Sequence, residues 1–452
     1  MGKKARLRKM KKLSETQEHV FQPSISPKAI NLFRNTLIGI LLSSILALGI
    51  TSRIDNLNNV AERSPDENTY TYFAKTIVQN GVSEGIKMLT KEHVSNKETW
   101  IYFPPPPTRV GYFWLISGAM RITNSTDIKI GAYVSCAFSI ISLLLLIVIG
   151  LRLFNTWITL FALLLMSVSP VELAIARRTW QDAIVECVGL LLIYLSCEIC
   201  RNTKRIIWYP LLIVTGSCFL SLKESAVLIY GLCIIWLLWI LLFKEQSILK
   251  GLFLIIASSL GVGITIAILV HISGGISAIA ESLKCWIKAM PTNQYAIEYQ
   301  SGPWYNFLQG FWIVSPVSTI LCLIGIAGTL SSKENLRRED FLCNPTNRRA
   351  IIGITLFMIT FLIIAMSTPL FQNFRYISIL FVPFYLISGL GLWYVISIVK
   401  SSLKSLSFYL IILIIAIALI LTAMRDYSAF IKIFIRTGAK DVSIKMLKDY
   451  SR

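Results

Sequence analysis

The sequence predicts an all-α, polytopic membrane protein. Three observations carry that prediction. The 452 residues are 55% apolar and only 15% charged. Soluble domains run at about 45–50% apolar and about 25% charged. The apolar residues also gather into long runs, and the mean hydropathy is +0.65. Finally, a net charge of +20 is distributed unevenly between alternate loops. A soluble enzyme, a disordered chain and a disulfide scaffold are excluded.

A helix crosses the hydrocarbon core with about 20 apolar residues. About eleven runs qualify, with eleven to thirteen as the range: 35–51, 130–150, 156–175, 184–200, 206–222, 225–243, 251–271, 304–328, 351–370, 376–398 and 406–424. The basic tail 1–34 precedes them, the membrane domain covers 35–424, and a short basic tail covers 425–452. No cleavable signal peptide is expected, because the leading tail is long and lacks a small-residue cleavage site.

Positive charge sets the orientation. The first tail holds nine basic residues: Lys3, Lys4, Arg6, Arg8, Lys9, Lys11, Lys12, Lys28 and Arg34. Alternate loops agree with it: Arg152; Arg201, Lys204 and Arg205; Lys244 and Lys250; Lys333, Arg337, Arg338, Arg348 and Arg349; Lys400 and Lys404. This side is expected to face the cytoplasm and anionic lipid. No nucleic-acid partner is expected. The first outer loop, 52–129, and a second long one, 272–303, then face outward across a cytoplasmic (inner) membrane. Eleven spans place the C-terminal tail outside too. Its seven basic and three acidic residues fit that side poorly, so either it is an amphipathic surface helix or the count is off by one.

The first outer loop carries interfacial helices. Ser64 or Asp66 caps a helix with Pro65 in its first turn, and Gly81 ends it. The run 109–121 is too short to span, and its aromatics suit the interface. Residues 275–290 are similar, with Ile279, Leu283, Trp286, Ile287 and Met290 on one face. Cys197 and Cys200 form a C-x-x-C without a second pair, which reads as small buried residues. His19, His93 and His271 pair with no motif.

Four sites carry ionisable groups at the outer boundary. Asp66 and Glu67 open the first-loop helix, where they either complement its dipole or do chemistry. Arg177, Arg178 and Asp182 follow the third span, with Glu186 one turn on; two arginines beside an acid suit a phosphate, or a salt bridge. Lys223 and Glu224 sit between two spans. Arg375, next to Tyr376, is the only charge between Arg349 and Lys400. Transporters place such groups near the midplane. Their concentration at one boundary favours chemistry on a lipid-borne phosphate.

These residues resemble the GT-C class of integral-membrane glycosyltransferases, in its protein O-mannosyltransferase and aminoarabinose-transferase branch. The matching elements are Asp66-Glu67 with Tyr70 and Ala74, Pro104 to Pro107 before Gly111-Tyr112, and Ser169-Pro170 through Arg178 to Asp182. Phe219 to Glu224 and Asn373 to Tyr376 complete the set. Branch members carry Glu-Lys-Pro before Gly-Tyr, where this chain has proline and Arg109. The resemblance implies the GT-C fold and a polyprenyl-phosphate-linked sugar donor. It implies inversion by direct attack of an acceptor hydroxyl on a protein, lipid or glycan. Asp66 is then the general base, with Glu67 and Asp182 beside it. Arg178, Lys223, Glu224, Arg375, Tyr376, Arg109 and Tyr70 bind substrate or phosphate. Gln300 to Tyr305 are expected on the acceptor side. A divalent cation (Mg or Mn), as some GT-C enzymes require, would sit at Asp66 and Asp182, with Glu67 near. The rival readings are a transporter or flippase of polyprenyl-linked glycans, and a non-catalytic membrane scaffold.

Overall fold

The computed structural model describes residues 27–55, 57, 60, 62–96, 105–331, 344–402 and 405–451. Lys3 to Lys12, His19, Pro104, Lys333, Arg337, Arg338 and Lys404 lie outside the described residues. The chain divides into residues 1–44 and 45–452. Of the first unit, 27–44 is helix, and Leu32, Phe33, Leu37 and Ile40 are exposed along it. Among the described residues the second unit is helical throughout, without a β-ladder beyond one isolated bridge.

The helices are, in order, α1 (Pro27–Ile54), α2 (Pro65–Asn80), α3 (Val82–Ser95), α4 (Val110–Ile122), α5 (Lys129–Leu153), α6 (Thr156–Ser167), α7 (Pro170–Ala176) and α8 (Asp182–Arg201). Then come α9 (Trp208–Phe219), α10 (Ala226–Trp239), α11 (Ile248–Ile272), α12 (Ile276–Ala289), α13 (Gln294–Tyr299), α14 (Asn306–Val314) and α15 (Pro316–Leu330). The last four are α16 (Pro345–Met366), α17 (Phe381–Ser402), α18 (Ser405–Phe430) and α19 (Ile444–Ser451).

Each of the eleven expected spans falls on a helix, yet the count is not reproduced. Eight described helices are long and apolar enough to cross, or ten if two bent pairs each count as one. The α6–α7 pair bends by 61° and the α14–α15 pair by 118°. Pro316 explains the second bend. It denies the helix an N–H and forces Ser315 out of helical geometry, to φ −154° and ψ 86°. The run 206–222 shrinks to the 12 residues of α9. At 1.5 Å per residue that is about 18 Å, short of a hydrocarbon core of about 30 Å.

The short helices expected in the two long loops form. Gly81 closes α2 at φ +81°, a conformation that favours glycine. α4 covers the short aromatic run, and α12 the amphipathic one. The two glycines Gly325 and Gly391 let α15 and α17 touch backbone to backbone: a Cβ at Gly391 would collide with Leu321 O, and one at Gly325 with Ile387 O.

α8 runs through the middle of the bundle and is mostly buried. Its twenty residues separate two charged ends by about 30 Å. At its C-terminal end Glu198 takes Arg152 at 2.9 Å and Arg201 at 2.7 Å. Nearby loops join in: Arg201 donates to Asn347 (2.7 Å), Arg349 pairs with Glu245 (3.0 Å), and Lys250 donates to Thr203 O (3.0 Å). The basic loops expected on one side therefore meet at one end. Charged residues are also buried within the helices, at Arg53, Glu172, Glu186 and Asp426. Arg53 spends its guanidinium on Ser139 Oγ (2.8 Å) and on the Gly49, Ser167 and Met166 carbonyls.

Candidate active site

The other end of α8 begins at Asp182, and the polar residues of four separate segments converge there. The first is the start of α2. Ser64 precedes it in extended geometry and Pro65 occupies the first turn. Neighbouring residues on a helix diverge by about 100°, so Asp66 and Glu67 meet different surroundings.

Glu67 turns inward and is fully buried. It accepts from Arg178 Nη1 (2.8 Å), Arg63 Nη1 (2.9 Å), the Ser64 amide (2.8 Å) and the Thr179 amide (3.0 Å). Burial pushes its carboxyl up, but Arg178, Arg63 and the two amides outweigh it and hold the group below the ordinary glutamate range. Arg178 also donates to Glu62 O (2.7 Å) and Ala439 O (2.9 Å). Glu67 and Arg178 thus tie together α2, the 177–181 turn and the C-terminal segment.

Asp66 turns the other way, to Arg375 Nη2 at 2.7 Å. Arg375 lies in the short 3-10 helix Phe374–Leu380, fixed by the Asn373 side chain, which accepts its amide (3.1 Å). Two aromatic rings face the guanidinium, Trp180 at 5.1 Å and Tyr376 at 5.3 Å. The Trp180 indole donates to Ser64 Oγ at 3.0 Å, which locks the ring.

The third segment is the turn between α9 and α10. Lys223 Nζ meets Asp182 Oδ1 at 2.5 Å and lies 4.7 Å from the Tyr376 ring. Burial lowers the Lys223 ammonium below its ordinary value, although Asp182 opposes the shift. Glu224 receives a forked pair from Arg109, whose Nε and Nη2 donate at 3.0 and 2.8 Å. Arg109 Nη1 reaches the Tyr70 hydroxyl at 2.6 Å. Burial raises the Tyr70 phenol well above its ordinary value, so it stays neutral.

The fourth segment was missed by sequence reasoning. Asp441 Oδ1 stands 3.7 Å from Arg375 Nε, and the Tyr295 hydroxyl donates to Asp441. Residues 439–441 therefore pack at the same end of the bundle as the start of α2.

A cavity of about 540 Å³ opens between these segments, within the ordinary size of ligand pockets. Asp66, Tyr70, Arg109, Lys223, Glu224, Arg375 and Tyr376 all line it. Gln181, Tyr295 and Gln300 join them, without having been singled out as catalytic or phosphate-binding. One wall is apolar: Trp286 and Ile287 from α12, Met290 just after it, and Phe361, Ile364 and Ala365 from α16. Glu67, Arg178 and Asp182 do not line it; they form the layer behind. Of the expected acceptor-side run, Gln300 reaches the cavity, while Trp304 and Tyr305 are exposed elsewhere.

The carboxylates do not fit a divalent cation. Asp66 is on Arg375, Glu67 on Arg178 and Arg63, and Asp182 on Lys223. Among the described residues no three His, Cys, Asp or Glu side chains cluster as metal ligands. A hard cation needs several convergent oxygens, and here each one faces a cation of the protein.

Known proteins bear on this geometry in two ways. Residues 106–271 match the dolichyl-phosphate-mannose-protein mannosyltransferase family. A search of curated proteins returns no match. Among solved structures, the Archaeoglobus fulgidus oligosaccharyltransferase tethered to an acceptor peptide aligns with a TM-score of 0.60 at 11% identity, over 91% of this chain and 56% of that one. The same archaeal enzyme, AglB, with an inhibitory peptide and a dolichol-phosphate, gives 0.57 at 10%, over 87% and 56%. ArnT from Cupriavidus metallidurans gives 0.49 at 12%, over 92% and 78%, too slight a likeness to build on. This chain spans little more than half the length of the archaeal enzyme. It has the GT-C fold of these membrane glycosyltransferases, and over residues 106–271 it matches the dolichyl-phosphate-mannose-protein mannosyltransferase family.

Proposed function

We propose that this chain transfers a sugar from a polyprenyl-phosphate donor to an acceptor hydroxyl. One observation supports the reading above the rest. A single cavity joins a polar floor of Asp66, Arg375, Lys223 and Arg109 to an apolar wall from α12 and α16. A lipid-linked phosphate needs both halves. The dolichol-phosphate found with the archaeal relative agrees with that chemistry.

In this mechanism the acceptor oxygen attacks the anomeric carbon from the face opposite the phosphate. The new C–O bond forms as the bond from that carbon to the phosphate oxygen breaks, with inversion. The acceptor proton passes to Asp66, as befits a carboxylate acting as general base. The lipid phosphate leaves with a second negative charge. Arg375 and Lys223 receive that charge, with Arg109 at the rim; cations aimed at developing charge are the main catalytic device here. Asp182 sets the position of Lys223. Glu67 and Arg178 hold the floor rigid from behind. The basic N-terminal tail and loops favour an outward-facing site in a cytoplasmic membrane.

Mass spectrometry of envelope lipids and glycans tests the reading. A deletion strain is compared with the same strain carrying wild type or Asp66→Asn. Deletion and Asp66→Asn should both accumulate a polyprenyl-phosphate sugar and lose one glycan, which identifies donor and acceptor together. Full restoration by the Asn variant would instead make Asp66 a structural residue and turn attention to lipid translocation.

A further inference from the structure

We propose that Asp441, in the segment after the last span, is a positioning residue for Arg375: it draws the Nε edge of the guanidinium toward itself as the Nη2 edge exchanges Asp66 for the donor phosphate. The inference rests on the transferase reading above.

The two carboxylates at Arg375 are not equivalent. Asp66 sits on Nη2 at 2.7 Å and lines the cavity. Asp441 faces Nε at 3.7 Å and does not line it. An entering phosphate therefore reaches the first contact and not the second. The guanidinium plane is already fixed, with Trp180 and Tyr376 packed against it. That leaves its edges as the adjustable part. Nε makes no hydrogen bond in the resting state, since 3.7 Å is an ion-pair distance only. It has a bond to gain by a small shift toward Asp441, and such a shift turns the opposite edge.

Asp441 itself is anchored. It accepts the Val442 amide at 2.8 Å and the Tyr295 hydroxyl. Burial and the adjacent Asp441 push the Tyr295 phenol far up, so that group stays a donor. The surrounding segment is tied to the strand-like approach to Arg375. Phe374 donates to Val442 O (3.3 Å), and Asn373 bridges Ser443. Arg178 grips Ala439 O from the layer behind. The exchange would also part Asp66 from Arg375 only once a donor is bound.

The test uses the full chain in detergent, with undecaprenyl phosphate as the probe and the corresponding polyprenol as the uncharged control. Wild type should bind the phosphate and discriminate against the alcohol. Asp441→Asn should melt as wild type does and bind the phosphate about tenfold more weakly. Asp441→Glu should recover most of that loss. In an Arg375→Gln background, Asp441→Asn should cost nothing further, because the two act as a unit. Equal or tighter binding by Asp441→Asn overturns the inference. So do additive losses in the double variant, or a loss that follows the melting temperature and is not rescued by Glu. If Asp441→Asn fails to fold, Tyr295→Phe decides: a smaller loss in the same direction supports the inference, and wild-type affinity overturns it. Wild type that ignores the phosphate overturns this inference and the transferase reading together. Binding by wild type with an unaffected Asn variant sinks only the first.

Discussion

Two layers of ion pairs lie one behind the other beneath the cavity. The front layer, Asp66–Arg375 and Arg109–Glu224, faces the empty volume. The back layer, Glu67–Arg178 with Arg63, is sealed from it. Their chemistry is the same, carboxylate against guanidinium at 2.8 or 2.9 Å behind and 2.7 or 2.8 Å in front. They differ in what can displace a partner. A front pair has a ligand-sized space beside it and is open to exchange. A back pair is closed by amides of Ser64 and Thr179 and carbonyls of Glu62 and Ala439. Adjacent residues in one helix thus divide into a carboxylate that faces the cavity and one that is sealed from it.

The sharpest way to break this comparison is to neutralise each acid in turn. Asp66→Asn should lower sugar transfer by about 10²–10⁴-fold, the ordinary worth of a general base, with an unchanged melting curve. Glu67→Gln should do the reverse. It strands Arg178 in a sealed site and should cost about 3–5 kcal/mol of stability, with activity falling only as folded protein is lost. Acid sharpens the same contrast. Because Glu67 is held below its ordinary value, its stabilisation is complete above the unfolded glutamate range near pH 4.5 and is lost as pH falls through the folded value. Melting in detergent from pH 7 to pH 3 should therefore show an acid-side loss that Glu67→Gln flattens. Equal acid profiles would contradict the sealed-pair account.

Smaller effects come from the front layer alone. Lys223→Gln should weaken polyprenyl-phosphate binding about tenfold, the worth of one hydrogen bond to a charged group. A titration of the purified variant reads it directly, and unchanged affinity would remove Lys223 from the phosphate site. Tyr70→Phe should cost about threefold, since it removes only one acceptor from Arg109. A loss comparable to that of Lys223→Gln would mean that Tyr70 touches substrate itself.

Much of this site is written in local patterns. Ser64-Pro65 announces a helix start, and Asp66 and Glu67 stand in its first turn. Arg375 is conspicuous as a lone charge in a long apolar stretch. The division of labour between Asp66 and Glu67 is not legible. It depends on which side of α2 packs against Thr179, and no spacing rule supplies that. Pro316 did carry a legible warning against an unbroken span at 304–328, whereas the shortness of α9 did not show through its apolar flanks. Asp441 escaped altogether. Its neighbours Lys440 and Lys445 make the tail read as a basic surface segment, and its partner Arg375 lies on the far side of α17 and α18.

The isolated bridge between Asn373 and Ser443 has a consequence for biosynthesis. A ribosome delivers residues 66, 182, 223 and 375 well before residue 441. Until α18 has entered the membrane and the chain has doubled back, Arg375 lacks one of its two carboxylates and Arg178 lacks the carbonyl of Ala439. Contacts so distant in sequence form late. The nascent protein therefore remains without a finished cavity floor throughout insertion, and a chain stalled before α18 should lodge in the bilayer as an incomplete helical bundle.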